Sequence, residues 1–166
     1  PAWARIKFEE LLAQQLSLRE ARAARLQEIS PSLSGQNLIQ QFLTQLQFTL
    51  TGAQQRAWAS IEHDLQQPLP MHRLLQGDVG SGKTVIAGLA CAQCVGSGMQ
   101  AAVMAPTEIL AEQLFYKLEE WFTPLGVKVA WLASSVTKKN KQQVYDELER
   151  NEVQIVVGTH ALIQDT

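Results

Sequence analysis

No apolar run in the chain approaches the ~20 residues that a membrane-crossing helix needs, and no leader peptide is legible at its start. A membrane partner is therefore not expected. Cysteine is scarce, with Cys91 and Cys94 the only two. That excludes a disulfide-stapled secreted scaffold and points to a reducing, cytoplasmic setting. Basic charge is not in excess either. Fourteen Lys and Arg against sixteen Asp and Glu leave a net charge of −2, so bulk charge does not hold the chain on a polyanion. Local phosphate contacts by a few side chains or backbone N–H groups stay open. Internal repeats are absent, and the many glutamines are scattered rather than gathered in a tract. What remains is ordinary globular composition, 46% hydrophobic and 18% charged over 166 residues, enough for one domain with an appendage. The chain starts at Pro1 and stops at Thr166 just after an apolar run, so it reads as an excerpt of something longer, expected to be monomeric.

Residues 3–29 contain no Pro or Gly, and Phe8, Leu11, Leu12 and Leu16 fall on a helical stripe. Ser30-Pro31-Ser32 ends that helix. Leu38, Ile39, Phe42, Leu43 and Leu46 mark a second, and Thr51 opens a third that runs to about Gln67, before Pro68 and Pro70. From residue 71 the pattern changes. Strands are expected near 72–76, 101–105, 127–132 and 153–157, with helices near 82–95, 107–122 and 138–150. Alternation of this kind predicts an α/β fold with a parallel, doubly wound sheet.

One segment has its residue types set by a ligand rather than by packing. Gly77-Asp78-Val79-Gly80-Ser81-Gly82-Lys83-Thr84 fits G-x-x-x-x-G-K-[ST], the phosphate-binding P-loop. Glycines let the backbone curl and aim its N–H groups at phosphate oxygens. Lys83 supplies a positive charge for the β- and γ-phosphates, and the Thr84 hydroxyl is a ligand for Mg²⁺. An apolar Leu74-Leu75 before the loop and a helix-compatible stretch after it supply the context that the motif demands.

Taken in order, the segments IKFEELLAQQLSLRE at 6–20, FTLTGAQ at 48–54, GDVGSGKT at 77–84, APTEILAEQ at 105–113 and VGTHALIQ at 157–164 resemble superfamily-two helicases, most closely the bacterial RecG branch-migration helicases. The resemblance covers nearly the whole chain. It implies a RecA-like P-loop NTPase sheet, incomplete here, over residues 51–166, preceded by a helical linker over 1–50. By the same resemblance, Gln54 and Phe48 bind adenine, and the loop 77–84 holds ATP and Mg²⁺. Pro106, Thr107 and Glu108 with Gly158, Thr159 and His160 then lie on the face that tracks DNA. The implied activity is ATP-driven branch migration at stalled forks and Holliday junctions. Such motors also need an acidic pair and an arginine, neither of which is legible before Thr166. The missing strands would lie between the P-loop strand and the strand at 101–105. Weak nucleotide binding without turnover is therefore expected of the chain by itself. A transcription-repair coupling translocase shares GDVG-x-GKT and GTH, although the FEELL helix favours RecG.

Several residues have competing readings. Thr51-x-x-Gln54 is also a capping box, which uses the same amide as adenine recognition. Cys91 and Cys94 form a C-x-x-C, but inside an apolar helix they read as packing residues. His160 is as readily a loop histidine as a DNA contact, and His63 and His72 are assigned no chemistry. Lys138, Lys139 and Lys141 fit a solvated helix face or a DNA-backbone contact. Arg19, Arg22 and Arg25 share a face that keeps a linker helix soluble or follows DNA. Trp121 and Trp131 read as core. Beside the helicase motor stand two other classes, a non-catalytic P-loop binding module and a P-loop kinase, the latter disfavoured by the motif order.

Overall fold

The computed structural model describes residues 2–25, 28–133 and 136–162. Six helices and three strands follow in the order α1 (Ala2–Arg25), α2 (Gln36–Gln45), α3 (Gly52–Leu65), α4 (Lys83–Gly96), β1 (Ala101–Met104), α5 (Glu108–Phe122), β2 (Val129–Leu132), α6 (Lys138–Glu149) and β3 (Ile155–Gly158). Threonine starts three of the helices. Thr51, Thr107 and Thr137 each accept a hydrogen bond from the backbone N–H three residues on, satisfying a donor that the first turn cannot. The α5 helix stops where Thr123-Pro124-Leu125 tightens into a 3₁₀ turn and Gly126 takes φ 74°.

The sheet is parallel with strand order β1-β3-β2. The central strand β3 is buried at every position, whereas β1, at an edge, alternates between half-buried and exposed. The α/β class expected from the sequence is the one observed, and its helix bounds agree to within about two residues, except that α1 is described only to Arg25.

One expected strand does not form. Residues 72–76 take no strand conformation, Leu74 is exposed, and Arg73 pairs with Asp64 (Nε to Oδ2 2.7 Å). A strand exists only as part of a ladder, and no described strand runs alongside this segment.

The core lies where α2, α4 and α5 meet the sheet. Phe42 of α2 packs edge-on to Trp121 (centroids 5.5 Å apart, 83° between planes) and tilted on Phe122 (5.2 Å). Trp131 is half-buried and stacks near Phe115. Gly88 in α4 makes the α2–α4 approach possible, since a Cβ there would stand 2.8 Å from Phe42 Cζ and 3.4 Å from Trp121. Gly88→Val is expected to destabilise the chain by about 1–3 kcal/mol through overpacking, read as a lower urea midpoint at unchanged slope. Of the C-x-x-C residues, Cys91 belongs to this core as well. Cys91 is buried, and that burial, with Cys94 beside it, pushes its thiol up to about 12. Cys94 is half-buried, its pKa also raised by burial, and its thiol lies 3.3 Å from the Gln100 carbonyl oxygen. Both are free, and packing is their role.

By contrast, the apolar stripe of α1 stays exposed, with Trp3, Phe8, Leu11, Leu12 and Leu16 all open among the described residues. Arg19 is exposed too, while the side chains of Arg22 and Arg25 lie outside the described residues.

Candidate nucleotide site

The loop 77–82 leads straight into α4, whose N-cap Gly82 has φ 80° and no side chain to cap the helix. Gly80 has φ 81°, so both positions need the left-handed conformation that glycine adopts without strain. Ser81 N–H donates to the Asp78 carbonyl at 3.1 Å, closing the turn. No hydrogen bond holds the N–H groups of Gly80, Gly82, Lys83 or Thr84 among the described residues. These free donors at a helix N-terminus, where the dipole is positive, are what phosphate oxygens require.

Lys83 turns back on the loop. Its ammonium donates to the carbonyl oxygens of Gly77 (2.7 Å) and Asp78 (2.8 Å). The lysine therefore braces the loop, beside a shallow, open recess lined by Leu75, Gln76, Gly77 and Asp78. On the other side, Gly82, Thr84 and Phe48 line a second cavity of about 630 Å³ that extends to Met104, Pro106 and Trp121. Phe48 is half exposed at 48% and free to pack on a ligand ring.

Gln54 uses its amide at both ends. Its Oε1 accepts from Thr51 N–H at 2.8 Å, and the Gln54 backbone N–H donates to Thr51 Oγ1 at 3.3 Å, so the capping box read from the sequence is present. Its Nε2 donates to the Ser81 carbonyl at 3.0 Å, which sequence reasoning did not anticipate. A Cβ on Gly82 would collide with that same Nε2. The tie between residue 54 and the loop comes from the fold, and only the presence of both motifs could have hinted at it.

The other two motif segments emerge side by side. Met104 pairs with Gly158 in register, and Ala105 N–H donates to the Gly158 carbonyl at 2.9 Å. Pro106, Thr107 and Glu108 thus leave β1 beside the place where Thr159 and His160 leave β3, at the carboxyl ends of the strands. In open α/β sheets that is where ligands bind. Pro106 and Glu108 are exposed, Thr107 caps α5, Thr159 is buried at 8%, and His160 is exposed. The Cβ direction of Gly158 is occupied by backbone, since a Cβ there would strike the Leu132 carbonyl oxygen. Ile163 and Gln164, the end of that motif, lie outside the described residues. Lys138 and Lys139 are exposed at the start of α6, and Lys141 is half-buried there.

The glycine φ values, the free N–H groups and Lys83 together fit a nucleotide polyphosphate. For Mg²⁺ the loop offers Thr84, and no group of three or more His, Cys, Asp or Glu is placed to hold a metal among the described residues. Nor is any helix among them long and apolar enough to cross a membrane.

A parallel sheet with a P-loop at a helix N-terminus defines a P-loop nucleotide-binding domain of the RecA-like class. The chain belongs to the DEAD/DEAH box helicase family, whose profile matches residues 51–166. It is 50% identical to the ATP-dependent DNA helicase RecG of Pasteurella multocida over 99% of this chain and 24% of that protein. Against the RecG of Escherichia coli K12 the identity is 44% over the same shares. Among solved structures it is similar to RecG bound to a three-way DNA junction, with TM-score 0.86 and 40% identity, over 96% of this chain and 22% of that one. The chain thus spans about a quarter of the length of the curated relatives it matches. A hypothetical ATP-dependent RNA helicase of Sulfolobus tokodaii shares the fold at TM-score 0.55 and 21% identity, over 76% of this chain and 35% of that one.

Proposed function

We propose that this chain is the leading part of a RecG-type motor, an ATP-dependent helicase acting on branched DNA in the cytoplasm. The observation that carries this reading is the P-loop with its unpaired N–H groups and Lys83, set beside Gln54 and Phe48. Similarity over almost the whole chain to a RecG bound to a three-way junction supports branched DNA as the partner.

In this reading the chain's residues bind and orient ATP. Backbone N–H groups of Gly80, Gly82, Lys83 and Thr84 and the Lys83 ammonium take the phosphates, Thr84 takes Mg²⁺, and Phe48 and Gln54 take the adenine. Pro106 to Glu108 and Gly158 to His160 meet one DNA strand, chiefly through backbone and the Thr159 hydroxyl. Mg²⁺ supplies charge neutralisation at the phosphates. The described residues place neither an acidic pair nor an arginine at the phosphates, so binding without turnover is expected of the chain alone. Phosphate release above background that disappears in Lys83→Ala would overturn that expectation.

Adenine recognition has its own test. Gln54→Ala is expected to reduce the preference for ATP over GTP by roughly tenfold, the worth of one or two neutral hydrogen bonds. Competition binding with both nucleotides reads it, and unchanged discrimination would leave Gln54 with the capping box and the bond to Ser81.

A further inference from the structure

Carbonyl oxygens repel phosphate oxygens, so a loop that offers N–H groups to an anion must turn its carbonyls away and keep them there. In the loop 77–82 that duty is divided. The Gly77 and Asp78 carbonyls accept from the Lys83 ammonium (2.7 and 2.8 Å), and Asp78 accepts from Ser81 N–H as well (3.1 Å). Those donors belong to the loop itself or to the first residue of α4. The Ser81 carbonyl accepts from elsewhere in the fold, from Gln54 Nε2 of α3 at 3.0 Å.

What that bond fixes is the direction of an N–H group. A trans peptide is planar and holds the C=O of one residue opposite the N–H of the next. None of the described peptides is cis, so anchoring the Ser81 carbonyl on α3 also sets where the Gly82 N–H points. That N–H is one of the donors left free at the site. Without an anchor the peptide between Ser81 and Gly82 turns easily, because glycine accepts nearly any φ, and here it takes 80°. A side chain at 82 would limit the rotation, but its Cβ would collide with the Gln54 amide.

The amide can serve as an anchor because it is itself held. Gln54 sits in the first turn of α3, with its Oε1 on Thr51 N–H (2.8 Å) and its backbone N–H on Thr51 Oγ1 (3.3 Å). These contacts distinguish the two ends of the amide. Turned over, it would set its NH₂ against Thr51 N–H and its oxygen against the Ser81 carbonyl. One N–H and one lone pair of the amide are left over, so holding the loop and meeting a base are compatible.

We propose that Gln54 is a positioning residue for phosphate, which presets the Gly82 N–H for a polyphosphate chain whatever base is attached to it. The proposal rests on the phosphate reading of the loop given above and is independent of the adenine reading. Its distinctive consequence is that Gln54 matters to a ligand with no base at all.

Calorimetric titration of inorganic tripolyphosphate with Mg²⁺ into the 166-residue chain tests it, beside Gln54→Met and Thr51→Ala. Methionine is close to glutamine in length and uncharged, but its side chain donates no hydrogen bond. Gln54→Met is expected to bind tripolyphosphate roughly three- to tenfold more weakly, the worth of one neutral hydrogen bond. Thr51→Ala removes the hydroxyl from the α3 cap and leaves the Gln54 amide in place. It is expected to melt lower and to bind tripolyphosphate as wild type does. If Gln54→Met does not fold, Gln54→Ala carries the same expectation. Equal binding by wild type and Gln54→Met overturns the positioning role, and a lost preference for ATP over GTP in that variant would then leave Gln54 a reader of adenine alone. An equal loss in Thr51→Ala traces the effect to helix capping and overturns it as well. No binding of tripolyphosphate to wild type overturns the phosphate reading, and the proposal falls with it.

Discussion

Replacing Gly158 with valine is expected to destabilise the chain by about 3 kcal/mol, at the upper end for overpacking, and to lower its melting temperature by roughly 6–12 °C. The cause is backbone contact rather than backbone conformation. Gly158 pairs with Leu132 of β2 at the end of the central strand, and a Cβ there would strike the Leu132 carbonyl oxygen and press on Leu162 Cγ at 3.1 Å. A carbonyl fixed in a parallel ladder cannot rotate away as a side-chain tip can, so β2 and β3 must separate. Gly158→Ala is expected to move the melting temperature in the same direction, because the clash begins at Cβ. The function proposed above also sets this glycine on the DNA-tracking face. If its contribution were contact with DNA alone, the variants would melt like wild type and lose only DNA affinity. Calorimetry of both variants separates the two roles.

Lys83→Ala is expected to weaken binding of an ATP analogue by roughly ten- to hundredfold, the worth of a charge-assisted hydrogen bond at the phosphates. Two of the three donors of the ammonium are held by the Gly77 and Asp78 carbonyls, which fixes its place against the loop. A second consequence follows from the same pair of bonds. The variant loop loses its brace, so exchange at Ser81 N–H, which bonds to the Asp78 carbonyl, is expected to rise in the absence of nucleotide while the melting temperature changes little, since Lys83 is exposed.

Much of this was legible in the residues themselves. The P-loop was readable because its glycines and lysine answer to a ligand, and no packing rule calls for them in that order. The start of α3 was readable because Thr51 acts within three residues of itself, and the same chemistry at Thr107 and Thr137 was not used. The buried run of β3 was readable because a strand covered on both faces needs apolar residues throughout. What escaped is non-local. Residues 72–76 have strand composition, but a strand needs a neighbour, and none of the described strands lies beside them. Gly35, Gly88 and Gly158 are indistinguishable from turn glycines until the fold brings Gly96, Phe42 and Leu132 against them. The bond from Gln54 to Ser81 spans 27 positions, and neither the capping box nor the adenine motif implies it.

The central claim is that residues 77–84, with Gln54 and Phe48, form an adenine nucleotide site. Titration of a fluorescent ATP analogue with Mg²⁺ into wild type and Lys83→Ala, each competed with unlabelled ATP, tests it most directly. Saturable binding to wild type that ATP displaces, weakened roughly ten- to hundredfold in the variant, is the expected result. Equal binding by both proteins, or binding that ATP does not displace, would contradict it.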